Sequence, residues 1–268
     1  MSSPTIASGG GASETLRLTP AQILSLQRAY MGDFPLPAGT RLISSNVYRS
    51  RKVRQVDEDD VQVCSCRDRD AEGPLCAPDG PCENATVKCE CIVGFCSRSR
   101  CGNMRLQNGS WWPDLRVAEI PGCGLGVRVT GTRTAVKGTF LMEYFGEIVD
   151  TAEKDARMDA YARAHRHFYV MALGGGDYVD AASLRSVAAF VNHSCEPNVR
   201  VELWTIGAES RVGIFAAADL TPGTELRFDY GWGRAQKLTV CACGARMCRA
   251  LMNVGVRFGP GWGWRGGQ

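Results

Sequence analysis

The heptapeptide NHSCEPN, Asn192–Asn198, sets a cysteine between a His-Ser pair and an acidic residue. Three chemistries fit Cys195: a nucleophile, a buried free thiol, or a metal ligand whose partners lie elsewhere in the chain. A catalytic thiol needs a base in reach and a third group to orient that base. His193 is two residues away, and side chains at that spacing in an extended stretch share a face only loosely. Further on, CACGARMC supplies Cys241, Cys243 and Cys248. Three thiolates lack one ligand of a zinc tetrahedron. Cys195 can supply it, which would clamp the C-terminal segment onto the body of the domain and favours the ligand over the nucleophile.

The other chemistry-bearing cluster is Cys64-x-Cys66, Cys76, Cys82, Cys89-x-Cys91, Cys96 and Cys101, eight of the thirteen cysteines. Close pairs let short loops deliver several thiolates to one ion. Eight cysteines fill two separate tetrahedra, and seven do so if one sulfur bridges both ions. The first fourteen residues, MSSPTIASGGGASE, show neither a basic nor an apolar leader region, so no oxidising compartment is indicated and disulfides are disfavoured. Residues 64–101 carry few large apolar side chains, so a metal must do what a core cannot.

These ligands need elements to position them. With 268 residues, 44% hydrophobic and 22% charged, the chain has the composition of a soluble globular protein, and no run of 18 apolar residues suggests a membrane span. A net charge of +3 gives no argument for nucleic-acid binding. Residues 1–17, rich in Ser, Gly and Ala, are expected to be disordered. TPAQILSLQRAY reads as a short helix capped by Thr19, with Pro20 in its first turn. LGVRVTG, GTFLMEYFGEIVD, HFYVMAL, DYVDA, VRVELWTI and SRVGIFAA read as short β-strands, and TAEKDARMDAYARAH as the one clear helix among them. The tail from 257 reads as flexible.

The order of motifs resembles that of SET-domain lysine methyltransferases over roughly residues 40–253. It is carried by GCGLGVRV (122–129), EYFGEIVD (143–150), HFYVMAL (167–173), DYVDA (177–181), FVNHSCEPN (190–198), RVGIFAAADLTPGTELRFDY (211–230) and CACGARMC (241–248). The cysteine-rich stretch ending CECIVGFCSRSRCGNMRLQ, with RLISSNVYRSRK before it, looks like the module associated with SET (AWS). AWS, SET and post-SET in that order resemble the group that methylates lysine 36 of histone H3. The resemblance implies a mainly β (α+β) SET β-clip fold with a knot-like C-terminal segment, flanked by zinc-cysteine modules. The expected boundaries are 1–37, a disordered N-terminus with a short helix; 38–112, AWS; 113–232, SET; 233–254, post-SET; and 255–268, a flexible tail.

The resemblance also implies roles. S-adenosyl-L-methionine would be the methyl donor, contacted by Cys123, Gly124, Leu125, His167, Phe168, Tyr169, Asn192, His193 and Thr239. Tyr230 matches the catalytic tyrosine, Tyr144 a second hydroxyl facing the lysine channel, and Phe228 a position where phenylalanine leaves room for di- or trimethylation. Three structural Zn2+ ions are expected. Cys64, Cys66, Cys76, Cys82, Cys91, Cys96 and Cys101 would hold two, with Cys89 as the extra thiol, and Cys195, Cys241, Cys243 and Cys248 the third. The implied partners are the histone H3 tail and nucleosome, with DNA phosphates possible at Arg49, Arg51, Lys52 and Arg54, in a nuclear, chromosomal, monomeric protein without a membrane role.

One stretch departs from the family's Gly-Asn-x-x-Arg-Phe, because RSVAAF puts Arg185, Ser186 and Ala189 at the glycine, asparagine and arginine positions. It leaves two further readings open: a catalytically weakened SET protein that binds chromatin, and a methyltransferase for a non-histone lysine. Loss of the arginine would weaken donor binding unless another residue, with Arg185 as the candidate, compensates.

Overall fold

The computed structural model describes residues 18–68, 76, 82–96, 101–231, 238–241, 243–249 and 251–253. The expectations for residues 1–17 and for the tail 255–268 lie outside the described residues.

The N-terminal helix runs Pro20–Met31. Thr19 accepts from Gln22 N (3.3 Å), and the Gln22 side chain accepts from Thr19 N (2.8 Å), a reciprocal capping box. Gln27, Tyr30 and Met31 are buried, and Tyr30 stacks on Trp111, which packs on Phe145. Residues 18–37 therefore share the main core.

That core lies between small, mostly antiparallel sheets. One has Glu209–Ala216 at its centre, paired with Val199–Ile206 and Phe140–Tyr144. Phe140–Tyr144 is buried at every position, so FLMEY shows no alternation. Leu141, Met142 and Ile214 are fully enclosed, each contributing about 1.5–3 kcal/mol of apolar burial. A second sheet orders Val47–Tyr48, Glu147–Val149, Asp177–Asp180 and Val170–Gly174. HFYVMAL thus enters its strand at Val170, leaving His167–Tyr169 outside regular structure. Leu115–Ile120 and Gly124–Val129 form a hairpin. The helix Thr151–Arg163, capped by Asp150, lies outside the sheets and buries only Lys154.

Two short parallel pairings bring distant segments together: Arg41–Leu42 with Leu184–Arg185, and Asn192–His193 with Arg227–Phe228. The second threads the C-terminal segment beside NHSCEPN; Ser194 N donates to Phe228 O and Asn198 N to Arg227 O, both at 3.0 Å. The cysteine-rich segment forms its own small core, in which, among the described residues, Met104 is the one buried apolar side chain besides seven cysteines. Burial of sulfur alone supplies little there, which agrees with the need for metal.

Candidate active site and metal centres

All thirteen cysteines are unpaired by disulfides. Cys64, Cys66, Cys76 and Cys82 converge, as do Cys64, Cys76, Cys91 and Cys96, so two sulfurs, Cys64 and Cys76, belong to both groups. Cys101 is buried in the same small core, where its thiol meets Cys91. Cys89 is half-buried outside both groups. Cys195, Cys241, Cys243 and Cys248 form the third group. Sulfur separations of 3.4 Å (Cys64–Cys76), 3.7 Å (Cys76–Cys96), 3.8 Å (Cys91–Cys64) and 3.9 Å (Cys195–Cys241) bracket a tetrahedron's edge. Four thiolates at a Zn–S distance of about 2.3 Å stand about 3.8 Å apart. The residues present fit the ions.

A cavity of about 310 Å³ opens where the hairpin, the threaded pair and His167–Met171 meet. It is lined by Cys123, Leu125, Tyr144, His167, Phe168, Tyr169, Asn192, Phe228 and Tyr230, all singled out in the sequence. Gly124 lies in the adjoining concavity with Glu119–Gly122 and Leu125. His193 does not line the cavity. Its Nδ1 accepts from Tyr230 N (3.2 Å), and Nε2 lies 3.4 Å from Cys195 Sγ, turning the ring to the third cysteine group. Of Thr239, only the backbone is described, in Leu238–Val240 paired to Leu251–Asn253.

The sequence reading missed Pro37, Val170, Met171, Ala188, Phe190 and Val191 on the lining, and marked Ala189 only as a departure from the family pattern. The departure RSVAAF was the available signal, because a changed stretch beside a binding motif changes a wall.

The hydroxyls are fixed and protonated. Tyr144 donates to Tyr169 O (2.8 Å) and Tyr230 to Val191 O (3.0 Å). Burial pushes both phenols well above the ordinary tyrosine range. Phe228 and Tyr230 pack at 4.7 Å between centroids. Asn192 Nδ2 donates to Leu125 O (3.2 Å) and Glu225 Oε1 (3.0 Å). A Cβ on Gly126 would lie 2.8 Å from that Nδ2 and 2.5 Å from Ile120, so the hairpin can approach Asn192 only with glycine there.

The arginines leading into the cysteine-rich segment are paired. Arg51 pairs with Asp177 and Glu209 (both 2.7 Å), Arg49 with Glu147 (2.6 Å) and Arg54 with Asp177 (2.8 Å). They staple this segment to the sheets, with the Arg49 and Arg54 side chains still about half exposed.

Residues 124–231 match the SET domain family. The chain carries a SET domain, and the fold is the SET fold. Polycomb Repressive Complex 2 of Chaetomium thermophilum shares it at a TM-score of 0.55 and 24% identity, covering 63% of this chain and 24% of that one. The chain is similar to the histone-lysine N-methyltransferase Set2 of Drosophila melanogaster, at 34% identity over 85% of this chain and 9% of that protein. It is similar to human SETD2 at 32% over 81% of this chain and 9% of that protein. It is also similar to the H3 lysine-36 specific methyltransferase of Cryptococcus neoformans, at 34% over 72% and 23%. The chain thus spans a quarter or less of the length of these curated relatives.

Proposed function

We propose that the protein is a protein-lysine N-methyltransferase that uses S-adenosylmethionine and acts on lysine 36 of histone H3 in nucleosomes. The observation that carries this reading is the convergence of Tyr144, Tyr169, Phe228 and Tyr230 on one cavity beside Cys123, Leu125 and Asn192. Among the described residues the cavity lining holds no carboxylate and six aromatic rings of the kind that attract a cation. That fits a sulfonium, and Cys123, Leu125, His167–Tyr169 and Asn192 would hold the donor. Bound there, S-adenosylmethionine supplies an electrophilic methyl group.

The chain's own residues do the rest. A lysine ammonium entering between apolar rings loses hydration, which lowers its pKa toward the reactive neutral amine. The Tyr144 and Tyr230 hydroxyls cannot act as bases, because burial keeps them protonated. They act as fixed dipoles, each proton held by a carbonyl, and their oxygens would offer lone pairs to the methyl of a bound donor and to the amine. Phe228 lacks a hydroxyl that would hold water against the amine, so the reading includes di- and trimethylation. The relatives' names support lysine 36 of histone H3, and with it a nuclear, chromosomal setting. Any DNA contact at residues 49–54 would draw on Lys52 and on Arg49 and Arg54, whose paired side chains stay about half exposed.

The altered turn does not favour a weakened protein. Ser186 Oγ donates to Glu143 O (2.8 Å) and accepts from Phe145 N (3.1 Å), and Gln27 holds Val187, so the turn is fixed on both sides. The test is transfer of labelled methyl from S-adenosylmethionine to recombinant nucleosomes, with and without replacement of histone H3 lysine 36 by alanine, alongside Tyr230→Phe. Label that vanishes with either change is expected. Label that persists on the substituted histone would reject the target, and donor binding without transfer to any histone would favour the non-histone reading.

A further inference from the structure

Arg185 is 3% exposed, and among the described residues no carboxylate lies within 4.0 Å of it. Its Nη2 donates to Ala182 O, and its Nε has no partner. A buried guanidinium normally has a carboxylate or a full set of acceptors. Here its neighbours are rings: Cζ lies 4.5 Å from the Tyr169 centroid and 5.7 Å from that of Phe190. Both rings line the cavity, while Arg185 does not. Arg185 therefore stands behind the wall and touches its outer side. Tyr169 in turn accepts the Tyr144 hydroxyl through its carbonyl, which also accepts from Ala181 N (2.9 Å).

We propose that Arg185 is a positioning residue of the pocket: its incompletely satisfied guanidinium braces Tyr169 and Phe190 in the orientation that receives the methyl donor. Glycine or another small residue at this position would leave both rings without that support. A cation desolvated against two rings attracts them more strongly than one in water. The same desolvation opposes folding, so the residue works against stability while ordering the site. The proposal rests on the reading that this pocket binds S-adenosylmethionine.

The test separates bracing from a merely structural role. Arg185→Met keeps length and apolar volume but removes charge and plane. Its thermal midpoint should equal or exceed that of the wild type, while calorimetry shows S-adenosylmethionine binding weakened about tenfold. Arg185→Lys keeps the charge without the planar stack and should fall between the two. Weaker stability with unchanged donor affinity would overturn the proposal, as would no change in either. If Arg185→Met does not fold, a double-mutant cycle of Arg185→Lys with Tyr169→Leu, read in urea unfolding, decides: additive effects overturn the bracing, and coupled effects support it. That cycle also stands if the wild type fails to bind donor, a result that would refute the functional reading rather than the brace.

Discussion

Gln27 offers the sharpest test of how far the catalytic unit extends toward the N-terminus. It is fully buried, with Nε2 donating to Ile43 O (2.8 Å) and Oε1 accepting from Val187 N (3.0 Å). Val187 opens the turn Val187–Phe190, whose Ala188, Ala189 and Phe190 line the cavity, and Ile43 N donates to Arg185 O at 3.0 Å. One amide thus secures both ends of the altered stretch. Gln27→Leu is close in volume and strands two buried backbone groups. At about 1–3 kcal/mol for each unsatisfied group, the loss is on the order of 4 kcal/mol. Leucine's own burial returns about 1–2 kcal/mol, leaving a net destabilisation of roughly 2–3 kcal/mol.

The assay is urea unfolding of the zinc-loaded protein, with amide exchange at Val187 and donor binding by calorimetry. The Val187 amide should lose protection, and donor affinity should fall because the wall of the pocket moves. Gln27→Glu adds a control: its carboxylate accepts from Val187 but has no hydrogen for Ile43 O, so Val187 protection should survive in part. A stability change below about 0.5 kcal/mol, the range of an ordinary surface substitution, together with wild-type donor affinity would show that the helix merely covers the core.

Three further outcomes are expected. Phe228→Tyr should shift the product toward the monomethyl form, read by mass spectrometry of modified histone peptides; an unchanged product distribution would remove Phe228 from control of methyl number. Elemental analysis should give about three zinc ions per chain, and with zinc bound a thiol reagent should modify exposed Cys123 first and half-buried Cys89 more slowly. Rapid labelling of any other cysteine in the loaded protein would contradict the ligand sets. Stability should fall above about pH 10, because burial raises the phenols of Tyr30, Tyr144, Tyr161 and Tyr230 and pushes Tyr48 up to about 12. A raised pKa means the folded state keeps its proton longer than the unfolded chain, so the contribution is complete below the unfolded value of about 10 and disappears as pH climbs through the folded one. Phenolate absorbance rising well before unfolding would contradict this.

The strands and the cysteine groups were legible because their signals are local: β-branched and aromatic runs between turn residues, and thiols a few positions apart. Nine residues of the cavity lining were legible through motif order. What escaped depends on partners far away in sequence. Gln27 reaches Val187 across 160 positions, so a glutamine on an ordinary amphipathic helix gives no sign of its task. Arg51 meets Asp177 and Glu209 at separations of 126 and 158, and a basic run read alone resembles a phosphate-binding strip. The helix Pro20–Met31 was visible from its cap, but its burial was not, since docking depends on Trp111 and Phe145 waiting for Tyr30.

Cys195 ties the two halves of the site together. The Tyr230 amide hydrogen points at His193 Nδ1, so that nitrogen is the acceptor and the ring proton belongs to Nε2, which faces the Cys195 sulfur. Burial holds the imidazole pKa below its ordinary value, so the ring stays neutral and keeps this tautomer. A second link runs in parallel: Arg227 donates to Glu225 Oε2 (2.8 Å) and Cys243 O (2.8 Å), while the same carboxylate holds Asn192. Glu196 accepts from Arg246 N (3.2 Å) and Met247 N (3.1 Å), fixing the loop between two of the thiolates. The motif NHSCEPN therefore faces both ways, with Asn192 lining the pocket and Cys195 and Glu196 holding the metal loop. A cysteine nucleophile would gain nothing from this arrangement, because its sulfur points away from the cavity and into a tetrahedron of thiolates. As a ligand, Cys195 would set the position of the strand pair that carries Phe228, and through His193 the backbone of Tyr230.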